Sequence, residues 1–549
     1  MKYTKNRIIV TILFALYFFL PVHVLWYYYS PAWYPIRSYL NSIPLTLILL
    51  IPAFLCGNIA KIWIIIFYCV FLVSAICSGM HLLFYQTTIS SHSFFAIFET
   101  SIEEASEFIY SQFTVFSFIY LVSLVFIPSF LIYYLLHMKF LFEKKDKIAV
   151  ICIFFMVSIL GLIFGPYRLV RDHQGWNMIS SLINYYSIKK SLAEYMQKSK
   201  SIIIPGVEDA LAGKSRTLVV AIGESSNRHH WSLYGYFRPT TPKLEALRSE
   251  LLVFNDVISP FSNTTESVAC ALSFADLHGN DRVPLINIFR QAGFEAVWIS
   301  NQSTIDSFNS IVQMVSGADQ QIYLNKGGDQ GYLRAYDENL LPALKKVLHT
   351  PAPNGKRVIF LHMMGSHVNY ASRIPENFCN FSSFNDIPSK PWRNGRALKY
   401  INDYDNTILY TDTVLSDLIN ETKTIQNSCF LYFSDHGEEV FDTLPQHGHV
   451  HELRSRHYID IPFLIWISPN YKDILGDRVN LWRASQNKPF MNDIAANIMA
   501  ELAGIHLPDR ISSSRNPLSL SYKPEDRMPY GINYDKVYNG TNGIDEPIR

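Results

Sequence analysis

The stretch TLVVAIGESS, residues 217–226, sets the terms for the fold. An apolar, β-branched run from Thr217 to Ile222 stops abruptly at Gly223-Glu224-Ser225-Ser226. A run of that length and composition predicts a buried strand, and the polar residues that follow mark its carboxyl end. The pattern returns at Glu295-Ser300, Arg357-Met363, Cys429-Ser434 and Ile461-Ile467, with helical or polar segments between the runs. Such alternation predicts a mainly parallel sheet flanked by helices, an α/β domain spanning residues 214–549.

In sheets of this kind ligands gather outside the carboxyl ends of the strands, so the residues directly after each run carry the functional information. Glu224 sits at such an end, where a carboxylate costs several kcal/mol to desolvate unless a cation or donor meets it. Taken alone it reads equally well as an acidic helix cap. The run ending at Phe433 opens into Ser434-Asp435-His436-Gly437-Glu438. Asp and His side by side supply a hard oxygen and a borderline nitrogen, a ligand set suited to zinc or manganese. Between these clusters lies Asn263-Thr264-Thr265-Glu266-Ser267-Val268 ahead of an apolar segment. Its hydroxyls suit a helix cap, or a nucleophile activated by a metal at a helix terminus that offers N–H groups to a phosphoryl group. His367 and His447 also follow runs of the same sheet.

The amino-terminal third is different in kind. Five apolar stretches, at about 8–28, 41–57, 62–83, 113–136 and 148–167, approach the roughly 20 residues needed to cross a bilayer. The first is expected to be a retained anchor, since further spans follow it and no small-residue cleavage pattern ends it. Lysines and arginines cluster before the first span (Lys2, Lys5, Arg7) and between the fourth and fifth (Lys139, Lys144, Lys145, Lys147). The loop 84–112 has neither residue type and carries Glu99, Glu103, Glu104 and Glu107. The positive-inside rule then places that loop, and everything after the fifth span, outside. The expected organisation is a membrane domain over 1–167, an interfacial linker over 168–213 with apolar residues at helical spacing (Met178, Ile179, Leu182, Ile183, Tyr186), and the α/β domain.

Read together, Gly-Glu-Ser (223–225), Asn-Thr-Thr-Glu-Ser-Val (263–268), Met-Gly-Ser-His (364–367), Tyr-Asp-Asn (404–406), Ser-Asp-His-Gly-Glu (434–438) and His-Gly (447–448) resemble the lipid-dependent phosphoethanolamine transferases, over nearly the whole chain. The resemblance implies an α-helical membrane domain followed by an alkaline-phosphatase-like domain in the periplasm, held in a bacterial inner membrane by several spans. It implies one tightly bound Zn2+ on Glu224, Thr264, Asp435 and His436, with Thr264 as nucleophile, three residues before the Ser-Val pair. His367 and His447 match positions that hold the substrate phosphate or a second zinc, and Glu438 joins them as a substrate-binding residue. Thr100 and Glu104 resemble residues that meet the ethanolamine head group. The implied donor is phosphatidylethanolamine, and the acceptor an envelope glycan, either lipopolysaccharide (lipid A or core) or a periplasmic glucan. Family members that modify lipid A bracket the nucleophile with a disulfide, but here Pro260 stands where the partner of Cys270 would be.

Composition narrows the alternatives. Of 549 residues 49% are hydrophobic, and the formal net charge is only +1, without the basic excess of a nucleic-acid binder. Four of the seven cysteines fall in apolar runs, so Cys270, Cys379 and Cys429 permit at most one bridge among themselves. A sulfatase-like hydrolase would want a Cys or Ser in a C/S-x-P-x-R setting, which is not found around Thr264. A phosphoglycerol transferase shares the threonine and the metal, and only its donor differs. A catalytically silent membrane sensor would have no need of the ligand set, and a transporter would carry paired intramembrane charges.

Overall fold

The computed structural model of the chain describes residues 13, 19–29, 33–50, 59–85, 89, 93–94, 97–98, 106, 109, 113–137, 173–199, 203–275, 282–302, 311, 315–324, 336–376, 378–450, 455–507 and 514–538. Contacts divide it into two units, Met1–Ile188 and Lys189–Arg549. In the first, the long helices described are α1 (Leu20–Tyr29), α2 (Trp33–Leu50), α3 (Ile59–Tyr85) and α4 (Val115–His137), while α5 (Gln174–Ser199) begins there and runs past its end. The stretches Lys61–Phe84 and Val115–Tyr133 are long and apolar enough to cross a membrane, and only 33% and 22% of their most apolar windows are buried. Ile62, Ile65 and Val73 on α3, and Phe118, Phe126 and Phe130 on α4, therefore face outward. Water would not tolerate so broad an apolar surface, whereas lipid does. These helices coincide with two expected spans. The spans expected at 8–28 and 41–57 lie partly outside the described residues, and that at 148–167 wholly outside. Along α5, Trp176, Ile183 and Tyr186 are exposed on one face.

The second unit is built on a sheet of seven strands: β1 (Arg216–Gly223), β2 (Leu251–Phe254), β3 (Glu295–Ser300), β4 (Gln320–Tyr323), β5 (Lys356–His362), β6 (Ser428–Ser434) and β7 (Phe463–Ile467). Their spatial order is β2-β7-β6-β1-β5-β3-β4. Every neighbouring pair is parallel except those made by β7, which runs against both β6 and β2. A parallel return needs a crossover, usually a helix; among the described residues between Ser434 and Phe463 only a three-residue turn, Arg456–Tyr458, is helical. The apolar run at 253–258 is broken at Asn255-Asp256 into β2 and a short strand, Val257–Ile258, which pairs with Phe490–Met491 instead.

Side chains alternate across each strand. Leu218, Val220 and Ile222 enter one apolar layer with Leu431 and Phe433, and Val219 and Ala221 enter the opposite one with Phe430 and Tyr432. That sorting explains why the runs are apolar throughout, since both faces are covered. The covering helices are α6 (Thr264–Ala271), α7 (Leu285–Gln291), α8 (Leu340–Leu348), α9 (Gly395–Thr422) and α10 (Ala495–Ala503). Residues of α6, α7 and α10 fill the first layer, and residues of α8 and α9 the second. The register brings four carboxyl ends level: Ser434 pairs with Gly223, and His362 with both Ile222 and Ser300.

Candidate active site

The level strand ends fix what comes together. Glu224 follows β1, Asp435 and His436 follow β6, Gln302 lies two residues past β3, and the Met363–His367 loop follows β5. Gly365 lets that loop close onto Glu224: its φ is +50°, and a Cβ there would stand 2.7 Å from the Glu224 carbonyl oxygen and 2.9 Å from its nitrogen. The loop is drawn in from the other side by buried Asp337, which accepts from the N–H groups of Met364 and Gly365 at 2.9 and 2.8 Å.

Helix α6 supplies the hydroxyl. Asn263 caps it, accepting from the Glu266 N–H at 3.0 Å while its own amide donates to Glu266 Oε2 at 2.7 Å. That reciprocal cap fixes where the helix starts. Thr264, the first helical residue, donates from Oγ1 to Glu224 Oε2 at 2.9 Å, and its hydroxyl also helps to lower the pKa of Asp435. The Thr264 hydroxyl therefore meets the acidic cluster.

The cluster has the geometry of a cation site. Glu224, Asp435 and His436, all buried, each offer a ligand atom within 4.8 Å of the others. His436 Nε2 lies 3.3 Å from Glu224 Oε1 and 3.5 Å from Asp435 Oδ2. The His436 Nδ1–H donates to the Gly437 carbonyl at 2.8 Å, which leaves the lone pair on Nε2 facing the carboxylates. Asp435 Oδ1 accepts from the N–H groups of Ser225 (3.1 Å) and His436 (2.7 Å), so Oδ2 is the free oxygen. Asp435 Oδ2 and His436 Nε2 are buried without a hydrogen-bond partner. Two orphaned ligand atoms and a carboxylate that converge with a hydroxyl form the donor set of a four-coordinate divalent site, and zinc fits it.

Electrostatics agree. Burial and the Glu224 charge push Asp435 up, to about 8. Burial works to raise Glu224 too, but the adjacent charge of His436, the charge of His367 and the Ser225 hydroxyl hold it well below the usual carboxylate range. His436 is penalised by burial, yet the two carboxylates raise it to about 10. Without a cation the cluster keeps protons to balance two adjacent carboxylates, and a divalent ion does the same work.

Four of the expected site residues are therefore gathered: Glu224, Thr264, Asp435 and His436. His367 acts on Glu224 through its charge. Glu438 is buried and accepts from Tyr370 Oη at 2.8 Å and from His449 Nδ1 at 2.7 Å. His447 stacks on Tyr400 with ring centres 4.0 Å apart, and burial, offset by Glu438, takes its pKa down to about 4. Thr100 and Glu104 lie outside the described residues. Cys379 and Cys429 are free thiols. Sequence reasoning missed Gln302, whose amide bridges Glu224 Oε2 (3.1 Å) and the Met363 carbonyl (3.0 Å). It also missed His449, which forms a second group of ligand type with His436 and Glu438. Gln302 stands just past a strand end, as Glu224 and Asp435 do, but its amide is not of metal-ligand type.

The chain is similar to known proteins over much of its length. A model of the family described as Sulfatase matches residues 216–505. Phosphoethanolamine transferase EptC of Escherichia coli (strain K12) is 30% identical over 538 residues, 89% of each chain. Phosphoethanolamine transferase CptA of Salmonella typhimurium is 35% identical over 332 residues, covering 58% of this chain and 55% of that protein. Among solved structures, the C-terminal periplasmic domain of EptC from Escherichia coli in complex with zinc is 34% identical, with a TM-score of 0.55 over 61% of this chain and 95% of that one. The integral membrane protein lipooligosaccharide phosphoethanolamine transferase A (EptA) from Neisseria meningitidis shares the fold over 94% of this chain and 96% of its own, at a TM-score of 0.67 and 19% identity.

Proposed function

The chain belongs to the sulfatase family and, within it, to the phosphoethanolamine transferases, and from that membership we propose that it moves phosphoethanolamine from phosphatidylethanolamine to an envelope glycan by way of a phosphoethanolamine–threonine intermediate on Thr264. The observation that carries this reading is the hydrogen bond from Thr264 Oγ1 to Glu224 Oε2, made beside the orphaned ligand atoms of Asp435 and His436.

In the first half-reaction Thr264 Oγ1 forms a bond to phosphorus, the bond from phosphorus to the diacylglycerol oxygen breaks, and the threonine proton ends on that leaving oxygen. At the start that proton is on Thr264 Oγ1 and is donated in a hydrogen bond to Glu224 Oε2. Since the Glu224 carboxylate is held well below its usual range, it is too weak a base to generate an alkoxide alone. Zinc held by Glu224, Asp435, His436 and Thr264 would acidify the hydroxyl and neutralise charge on the phosphoryl oxygens. In the second half-reaction an acceptor oxygen attacks phosphorus from the opposite side and threonine regains a proton. His367 and His447 hold the incoming group or relay its proton, with Glu438 keeping the adjoining wall polar. Burial keeps His447 neutral at physiological pH, which suits it to hold the incoming group by hydrogen bonding.

The exposed apolar faces of α3 and α4 support an anchor in the inner membrane, and the lysine asymmetry of the loops supports a periplasmic catalytic domain. Thr100 and Glu104 are assigned to the head group of the donor, and lipopolysaccharide or a periplasmic glucan to the acceptor. The test is incubation of the purified full-length protein with labelled phosphatidylethanolamine or phosphatidylglycerol, followed by peptide mass spectrometry. Phosphatidylethanolamine should place one phosphoethanolamine unit on the peptide containing Thr264. A phosphoglycerol adduct instead would make the chain a phosphoglycerol transferase, and no adduct from either lipid would remove the covalent mechanism.

A further inference from the structure

The loop that delivers Thr264, Ser259–Asn263, is held by a residue from the carboxyl-terminal region. The Ser262 N–H donates to Tyr530 Oη at 2.8 Å, and Tyr530 Oη lies 2.9 Å from Ser262 Oγ. Because Ser262 Oγ donates to the Val450 carbonyl at 2.5 Å, the Tyr530 O–H is the donor to Ser262 Oγ. The tyrosine oxygen thus gives one hydrogen bond and takes one, both with the residue just before the Asn263 cap. Its ring meets the Phe261 ring edge-on at 5.5 Å. Ser262 is buried, so water cannot readily replace the phenol.

The segment that presents Tyr530 is itself clamped. Arg527, buried, donates to Asp256 Oδ1 at 2.6 Å and to Asp535 Oδ1 at 2.5 Å, and the Tyr534 hydroxyl donates to Asp460 Oδ1 at 2.6 Å. Asp256 lies at the break that opens the Val257–Ile258 strand, a few residues ahead of the loop. Between these anchors Tyr530 adopts φ 54° and ψ 21°, a left-handed conformation that a residue with a Cβ holds only when its surroundings impose it. The strain turns the side chain toward the nucleophile loop.

We propose that the carboxyl-terminal segment Arg527–Tyr538 is a strap that positions the nucleophile, and that Tyr530 is its positioning residue, fixing Ser262 so that the Thr264 hydroxyl faces Glu224. This rests on the reading of Thr264 as the nucleophile. Phosphoryl transfer needs the attacking oxygen within a fraction of an ångström of its line of approach, and misplacement by about 1 Å can cost on the order of a hundredfold in rate.

The test compares Tyr530→Phe with Tyr522→Phe in the full-length, zinc-loaded protein. Tyr522 donates to the Pro489 carbonyl at 2.7 Å, so its variant loses one hydrogen bond of the same carboxyl-terminal region away from the nucleophile loop. Adduct formation from phosphatidylethanolamine is measured in single turnover, per zinc-loaded folded molecule, together with KM and melting temperature. Tyr530→Phe should slow adduct formation by about ten- to a hundredfold, leaving KM and zinc content unchanged, while Tyr522→Phe keeps the native rate. Equal rates for both variants, or a fall in melting temperature with the native rate per folded molecule, would overturn the positioning role. Should Tyr530→Phe not accumulate, Arg527→Gln, which frees the strap from Asp256 and leaves the phenol in place, should show the same loss of rate with KM unchanged; a native rate there overturns the strap. Thr264→Ala is run alongside: if it still forms adduct, the nucleophile reading fails and the strap with it. If it does not, while Tyr530→Phe reacts normally, the strap alone fails.

Discussion

Replacement of Gly365 by alanine tests the tightest backbone approach in the site. A Cβ at this position would stand 2.7 Å from the Glu224 carbonyl oxygen and 2.9 Å from its nitrogen, whereas ordinary contact begins at 3.4 Å, so the two backbones must part by about 0.7 Å. The Met363–His367 loop cannot retreat freely, because Asp337 grips it through the Met364 and Gly365 N–H groups. Much of the displacement therefore falls on Glu224. Overpacking of this kind costs about 1–3 kcal/mol, and the positive φ adds about 1–2 kcal/mol. That sum lies within the roughly 5–15 kcal/mol of a typical domain, so the variant should fold. Its zinc affinity, measured by competition with a chromogenic chelator, should fall by about ten- to a hundredfold, the usual cost of disturbing the support of a ligand. Gly476→Ala is the control: its φ is +61° and ψ −138° with nothing within 4 Å of the new Cβ, so it carries backbone strain without a clash and should lose about 1–3 kcal/mol with native zinc affinity. If Gly365→Ala binds zinc and turns over like Gly476→Ala, the close approach does not set the position of Glu224 and the reasoning is wrong.

Thr264→Ala should abolish transfer while circular dichroism and melting temperature stay near the parent's, since loss of one partly exposed hydroxyl shifts stability by no more than about 1 kcal/mol; loss of the fold would contradict a nucleophilic role. Zinc affinity should rise with pH between 6 and 8, because Asp435 and His436, raised to about 8 and 10, must release protons to bind the ion; a flat profile in chelator titrations would count against this ligand set. Asp412, which accepts from the N–H groups of Lys243 and Leu244, is pushed by burial up to about 6. An acid whose folded pKa lies above its unfolded value binds its proton more tightly when folded. It therefore lowers stability as pH rises from about 4 to 6, by about 3 kcal/mol. Asp412→Asn should flatten that part of the pH–stability curve relative to the parent in urea titrations, and an identical slope would refute the assignment.

The strands of the sheet were legible because each is an apolar run with a polar stop, and so were the residues after those stops. Glu224, Asp435, His436 and Thr264 lie where the pattern placed them. The reversal of β7 goes with the want of a crossover helix among the described residues between Ser434 and Phe463, but a run of apolar residues carries no direction. β4, with Gln320 and Gln321 exposed at the sheet's edge, was too polar to announce itself.

By itself the sequence determined the apolar character of α3 and α4, the alternating strands and helices, and the carboxylates and imidazole placed after β1 and β6. These are local properties, because burial, turn and ligand preferences act on neighbouring residues. The tertiary structure alone decided that the Thr264 hydroxyl meets the acidic cluster, which oxygen of Asp435 is left free, that Gln302 steadies Glu224, and that Tyr530 reaches the loop before Asn263. Each of these depends on strand register and on contacts between segments up to 268 residues apart, and such contacts form only when the whole sheet has brought its carboxyl ends level.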